Sequence, residues 1–182
     1  LEKLIIKPPA VIKFYDLRRY HGIREETQMA KYNKEDRPEV TPEQMYEIAT
    51  KVAERSLNNP DIAKKLRETD LIVRFEYHDE ERWGPDFVAE ITVDCTKDPV
   101  EIHTGPCDLK PNLEMSMEAF TAHLFWMQKL NLMTALTRKQ IKAKGPIQKA
   151  MKLLPHLKVF YENYRNVLKE LGREDLLAFP PD

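Results

Sequence analysis

Glycine is scarce in this chain. Five occur in 182 residues, Gly22, Gly84, Gly105, Gly145 and Gly172, and none are clustered. A phosphate-cradling loop or a dinucleotide fingerprint needs grouped glycines, so both are excluded. Cysteine is scarcer still, with only Cys95 and Cys107. A disulfide framework therefore does not carry stability, and a reducing cytosol is the expected compartment. Serine occurs only as Ser56 and Ser116, and neither sits in a Gly-x-Ser-x-Gly elbow. No apolar run approaches the ~20 residues needed to span a bilayer. The five histidines are scattered, and His103 with Cys107 lacks the second close pair that a metal site needs. No acid/base constellation stands out, so the expectation is a non-enzyme with no metal or cofactor.

The last absence is local. No acidic residue occurs from Ala119 to Tyr161, while Lys129, Arg138, Lys139, Lys142, Lys144, Lys149, Lys152 and Lys158 give that stretch +8. The whole chain is −1, so the remainder sums to −9 (−1 minus 8). Nothing in the net charge suggests bulk nucleic-acid binding. Five of the seven methionines, Met115, Met117, Met127, Met133 and Met151, lie between Leu113 and Leu157. Methionine is unbranched and polarizable, so it fills ordinary cores and also repacks around ligands of varied shape. Lysines on a short strand have several readings, of which nucleic-acid binding is the weakest because the segment lacks interleaved aromatics. They guard a sheet edge against aggregation, or they form a basic skin that attracts anionic headgroups. As one strand from Arg138 to Lys144, the segment would turn Arg138, Gln140, Lys142 and Lys144 to the same side.

Residues 1–38 read as an N-terminal arm. Its Val11, Phe14, Tyr15 and Leu17 pack on the domain, or engage a partner or a second copy of the chain, or the arm is disordered. Thr41-Pro42-Glu43-Gln44 then opens a helix with a capping box, and Met45, Ile48, Ala49 and Val52 give it one buried stripe. Asn59-Pro60 starts a shorter helix with Ile62 and Leu66 inward. Strands follow on period-2 patterning: Leu71, Val73, Phe75 and Tyr77, then Phe87 to Cys95, then Val100 to Thr104, with turn-like links between them. A fourth strand spans about Asn112–Met117. Patterning with one polar face predicts an antiparallel sheet covered on a single side. Ser116 is the expected cap of an apolar helix over Met117–Gln128. Its core AFTAHLFWM should be enclosed on several sides, with His123 as a hydrogen-bonded core histidine. After the lysine strand, Ile147, Ala150, Met151 and Leu154 line one helix face until Pro155. Tyr161, Tyr164, Leu168 and Leu171 line the last helix, and Gly172 follows it.

The order of these pieces resembles the sterol carrier protein-2 (SCP2) sterol-binding domain family. The matching stretches are Leu113-Glu114-Met115-Ser116, Glu118-Ala119-Phe120, Lys139 to Gly145, and Ala150-Met151-Lys152-Leu153-Leu154, within about residues 41–157. Lys139 stands where the family has a glycine. The resemblance implies an α+β fold, a five-stranded mainly antiparallel sheet with helices packed on one face enclosing an apolar tunnel. Residues 39–172 would form that domain and 173–182 a tail. It further implies non-catalytic binding and transfer of fatty acyl chains, acyl-CoA or sterol-like molecules. The alternative is an accessory role, presenting substrate to a lipid- or acyl-CoA-metabolising enzyme. The implied tunnel lining is Met115, Met117, Phe120, Leu124, Met127, Met133, Met151 and Leu154. Arg138, Lys142 and Lys144 are the candidates for contact with an anionic headgroup or membrane surface.

Overall fold

Thr41 sets the first element. Its hydroxyl accepts from the Gln44 amide at 3.3 Å, and the Gln44 side chain accepts from the Thr41 amide at 3.1 Å. That closes the capping box and, with Pro42 in the first helical position, starts α1 (Pro42–Leu57). Asn59 caps α2 (Pro60–Arg67) through its side-chain oxygen. The computed structural model describes residues 32–180. The expected arm lies outside the described residues as far as residue 31. Residues 37–40 are held by their carbonyls: Arg82 donates to Arg37 O and Pro38 O, Arg173 to Glu39 O, and the Trp83 indole to Val40 O.

Five strands form one sheet: β1 (Ile72–His78), β2 (Ala89–Asp94), β3 (Glu101–Thr104), β4 (Leu113–Glu118) and β5 (Ile141–Lys144), in the order β3-β2-β1-β4-β5. All pairings are antiparallel except β1 with β4, which run parallel from Val73↔Leu113 to His78↔Glu118. Because β4 joins β1 on the side away from β2, the link after β3 must cross the sheet. It crosses the polar face, where the Arg74 guanidinium donates to the carbonyls of Cys107 (3.2 Å) and Leu109 (2.7 Å). Thr92 and Asp94 on that face are consequently buried, and the Asp94 carboxylate accepts from the Thr96 amide at 2.9 Å. The polar face is thus less open than strand alternation alone predicts.

Period-2 alternation sends Val73, Tyr77, Ile91, Met115, Met117 and Ile141 to the other face, where all are buried. Over it lie α1, α3 (Ala119–Trp126) and α6 (Lys158–Glu170). Every residue of α3 from Thr121 to Leu124 is buried, as a helix covered on several sides requires. A second core joins Ile48 and Val52 of α1 to Tyr164, Val167 and Leu168 of α6, and to Leu176 of α7 (Glu174–Leu177). Residues 173–180, set apart as a tail by the sequence, therefore fold back onto the domain.

Two local expectations are corrected. Ser116 is no helix cap: it lies inside β4, paired with Glu76 and Lys142, and the strand runs into α3 at Glu118–Ala119 without a loop. The lysine strand is shorter than Arg138–Lys144, because Asn131 caps an additional helix, α4 (Leu132–Thr137), through a bond from the Thr134 amide at 3.1 Å. Arg138 is the C-cap of that helix and Lys139 has φ 58°, so the strand alternation does not extend back to Arg138.

Candidate functional site

A cavity of about 230 Å³ lies between the apolar face of the sheet and the helices above it. That is slightly below the ~300–1,000 Å³ common for small-molecule sites. The floor comes from alternate residues of the strands: Val73, Phe75 and Tyr77 of β1, Ile91 of β2, and Met115 and Met117 of β4. The helical stripe Met45, Ile48, Ala49 and Val52 forms one wall; Ala122, His123 and Trp126 of α3, with Phe160 and Tyr164 of α6, form another. No Asp, Glu, Lys or Arg lines it among the described residues.

Of the eight lining residues expected from the sequence, Met115, Met117 and Leu154 are on the wall. Leu124 is fully buried in the core without reaching the cavity. Phe120 faces away, its ring 6.2 Å from Tyr32 and 5.6 Å from Phe179, with the Arg37 guanidinium 4.4 Å over its face. Met127 ends α3 and packs on the second core. Met151 closes the short helix α5 (Ile147–Met151), half-buried and off the wall. Met133 is 48% exposed and borders a separate open hollow with Lys129 and Tyr161. Phe125, Leu132 and Leu154 border both spaces and stand between them. The sequence missed the α1 wall, Trp126 and the polar groups Tyr77, His123 and Tyr164. The α1 stripe and the inward phase of Tyr77 were the available signals.

His123 links three elements. Its Nδ1 lies 2.8 Å from the Tyr164 hydroxyl and its Nε2 2.8 Å from the Phe179 carbonyl oxygen. A carbonyl only accepts, so Nε2 carries the hydrogen. Burial holds the imidazole below its ordinary 6.5, so the ring is neutral, Nδ1 is an acceptor, and the Tyr164 hydroxyl donates to it. Burial also pushes the phenols of Tyr164 and Tyr77 well above their usual range. The Tyr77 ring stacks on Phe75 with centroids 6.2 Å apart. Its hydroxyl makes no hydrogen bond among the described residues.

Lys142 and Lys144 share the polar face of the sheet, opposite the cavity. They sit beside Ser116 and Glu114, and Lys144 Nζ is 3.2 Å from the Glu114 carboxylate. Lys139, Lys142, Lys144, Lys149 and Lys152 are all exposed. No group of three or more His, Cys, Asp or Glu side chains is placed to hold a metal among the described residues. No helix among them is long and apolar enough to cross a membrane.

The topology, the single-sided helical cover and the uncharged cavity beneath it define an SCP2-like α+β domain. The chain matches the SCP-2 sterol transfer family over residues 49–158, most of its length, and belongs to that family. No curated protein matches it. Similar solved structures include sterol carrier protein 2 of Yarrowia lipolytica in its apo form, at 17% identity over 62% of this chain and 86% of that one, with a TM-score of 0.45. The sterol carrier protein domain 2 of Helicoverpa armigera is likewise 17% identical, over 80% of this chain and 93% of that one, with a TM-score of 0.45. UbiJ-SCP2, a ubiquinone synthesis protein, is 14% identical over 80% and 99%, with a TM-score of 0.44.

Proposed function

We propose that this protein is a non-catalytic carrier that binds the apolar part of a lipid in the cavity between the sheet and α1, α3 and α6. The observation that carries this reading is the wall itself, which is predominantly apolar and free of charge among the described residues. Each methylene moved from water into such a space contributes about 0.8 kcal/mol. The flexible thioethers of Met45, Met115 and Met117 allow chains of different shape to fit. Acyl chains, acyl-CoA and sterol-like molecules share the required apolar body. The thin barrier of Phe125, Leu132 and Leu154 toward the open hollow supports a route of entry there. The exposed lysines of the acid-free stretch suit transient contact with an anionic membrane.

The test is titration of delipidated protein with a fluorescent acyl probe. Saturable binding in the micromolar range, reversed by unlabelled fatty acid or acyl-CoA, is expected. A folded sample with no saturable binding, purified together with a partner enzyme, would replace the carrier reading with the accessory one.

A further inference from the structure

The cavity wall is apolar but not uniformly so. Tyr77, His123 and Tyr164 all border it, and their hydrogens can be accounted for one by one. The Phe179 carbonyl takes the His123 Nε2 hydrogen, and His123 Nδ1 takes the Tyr164 hydrogen. Tyr164 Oη is left with acceptor capacity only. Tyr77 is 5% exposed, and its O–H has no acceptor among the described residues although it borders the open space. A donor that opens only onto an apolar cavity gains from any group in the cavity that accepts from it.

From this arrangement we infer that the cavity is built for a lipid whose buried end carries a neutral oxygen, an alcohol or a carbonyl, which accepts a hydrogen bond from Tyr77. An alcohol has an additional fit, since its own hydrogen can go to Tyr164 Oη. An ionised carboxylate or phosphate does not fit this end, because no cation lines the cavity among the described residues and a buried unpaired charge is strongly disfavoured. A purely hydrocarbon end would leave the Tyr77 hydroxyl unpaired. This inference rests on the carrier reading and narrows it to one ligand chemistry.

The test uses diphenylhexatriene, an oxygen-free fluorescent hydrocarbon whose binding needs no hydrogen bond. Dodecan-1-ol, 1-chlorododecane and dodecanoate at pH 8 compete against it in the wild type and in Tyr77→Phe. That substitution removes one hydroxyl with no protein partner, so the fold is retained, as circular dichroism should verify. With competition expressed relative to the probe's own affinity in each protein, dodecan-1-ol should lose about tenfold in the variant and 1-chlorododecane should not. In the wild type alone, the alcohol should outcompete both the chloro analogue and the carboxylate. Equal alcohol affinity in the two proteins overturns the inference and leaves the carrier reading standing, as does dodecanoate matching the alcohol in the wild type. If neither probe nor lipids bind folded wild type, both readings fail.

Discussion

His123 holds Tyr164 on one side and the Phe179 carbonyl on the other, and burial disfavours its charged form there. Its folded pKa lies below the 6.5 of a free imidazole. The unfolded chain therefore takes up a proton near pH 6.5 that the folded chain resists. This contribution to stability is complete above that pH and is lost as pH falls below it. Urea midpoints measured from pH 8 down to pH 5 should decline for the wild type. His123→Gln, which can still donate and accept, should show a flatter profile below pH 6.5. An unchanged slope would mean that other groups govern the decline. Gly145 is a second position where one residue decides. It has φ 123°, and a Cβ there would overlap the Asn112 carbonyl oxygen. That backbone is fixed, because the Asn112 amide donates to Ile72 O and its side chain accepts from Ile72 N at 2.8 Å. Gly145→Ala should therefore cost about 2–4 kcal/mol, read as a lower denaturant midpoint at unchanged slope.

At the scale of elements, most of the fold was legible and the seams were not. Capping residues announce themselves locally, so α1 and α2 start where Thr41 and Asn59 predict. Alternation in β1, β2 and β4 gave the buried face correctly, because burial on one side imposes period 2. The parallel pairing of β1 with β4 depends on which edge the returning strand joins, and no local pattern encodes that. The methionines divide along the same line. Met115 and Met117 are fixed by strand phase and reach the cavity, whereas Met127, Met133 and Met151 lie at or near the ends of short helices whose phase is set by tertiary packing. For β5, Lys144 meets Glu114 while Lys142 sits beside Ser116, and the edge-guard role and the membrane role make different predictions for the pair. If the exposed lysines dock on membranes, Lys142→Gln with Lys144→Gln should weaken binding to vesicles rich in phosphatidylserine, with little change in acyl-probe affinity. Each lysine near an anionic surface contributes about 1 kcal/mol, and added salt should diminish the difference between wild type and variant. Equal association with neutral and anionic vesicles, untouched by the double change, leaves the lysines as an edge guard.

The whole molecule is tied at its outer layer by one side chain. Arg173 donates to the Glu39 carbonyl at 2.6 Å and to Gln44 Oε1 at 3.1 Å, while Asp175 braces it at 2.7 Å. Behind it, Leu176 fills the core between α1 and α6. Truncation after Gly172 should therefore lower the thermal midpoint by several degrees and loosen the cavity wall, since Phe179 also anchors His123. A milder change, Arg173→Met, should lower it less. Hydrogen exchange in α1 would show which part of the loss comes from the clamp.

The same clamp brings residues from opposite ends of the described chain together, with the rings of Tyr32 and Phe179 5.3 Å apart. Threading order is then separable from architecture. A circular permutant of residues 32–180 that joins Phe179-Pro180 to Tyr32 through a short glycine linker, and opens the exposed turn between Lys97 and Asp98, should keep the sheet order and the cavity. Its circular dichroism spectrum and acyl-probe affinity should match those of the same residues in natural order. If they do, the β3-β2-β1-β4-β5 arrangement is specified by strand faces and packing, and the sequence in which the strands leave the ribosome is immaterial to it.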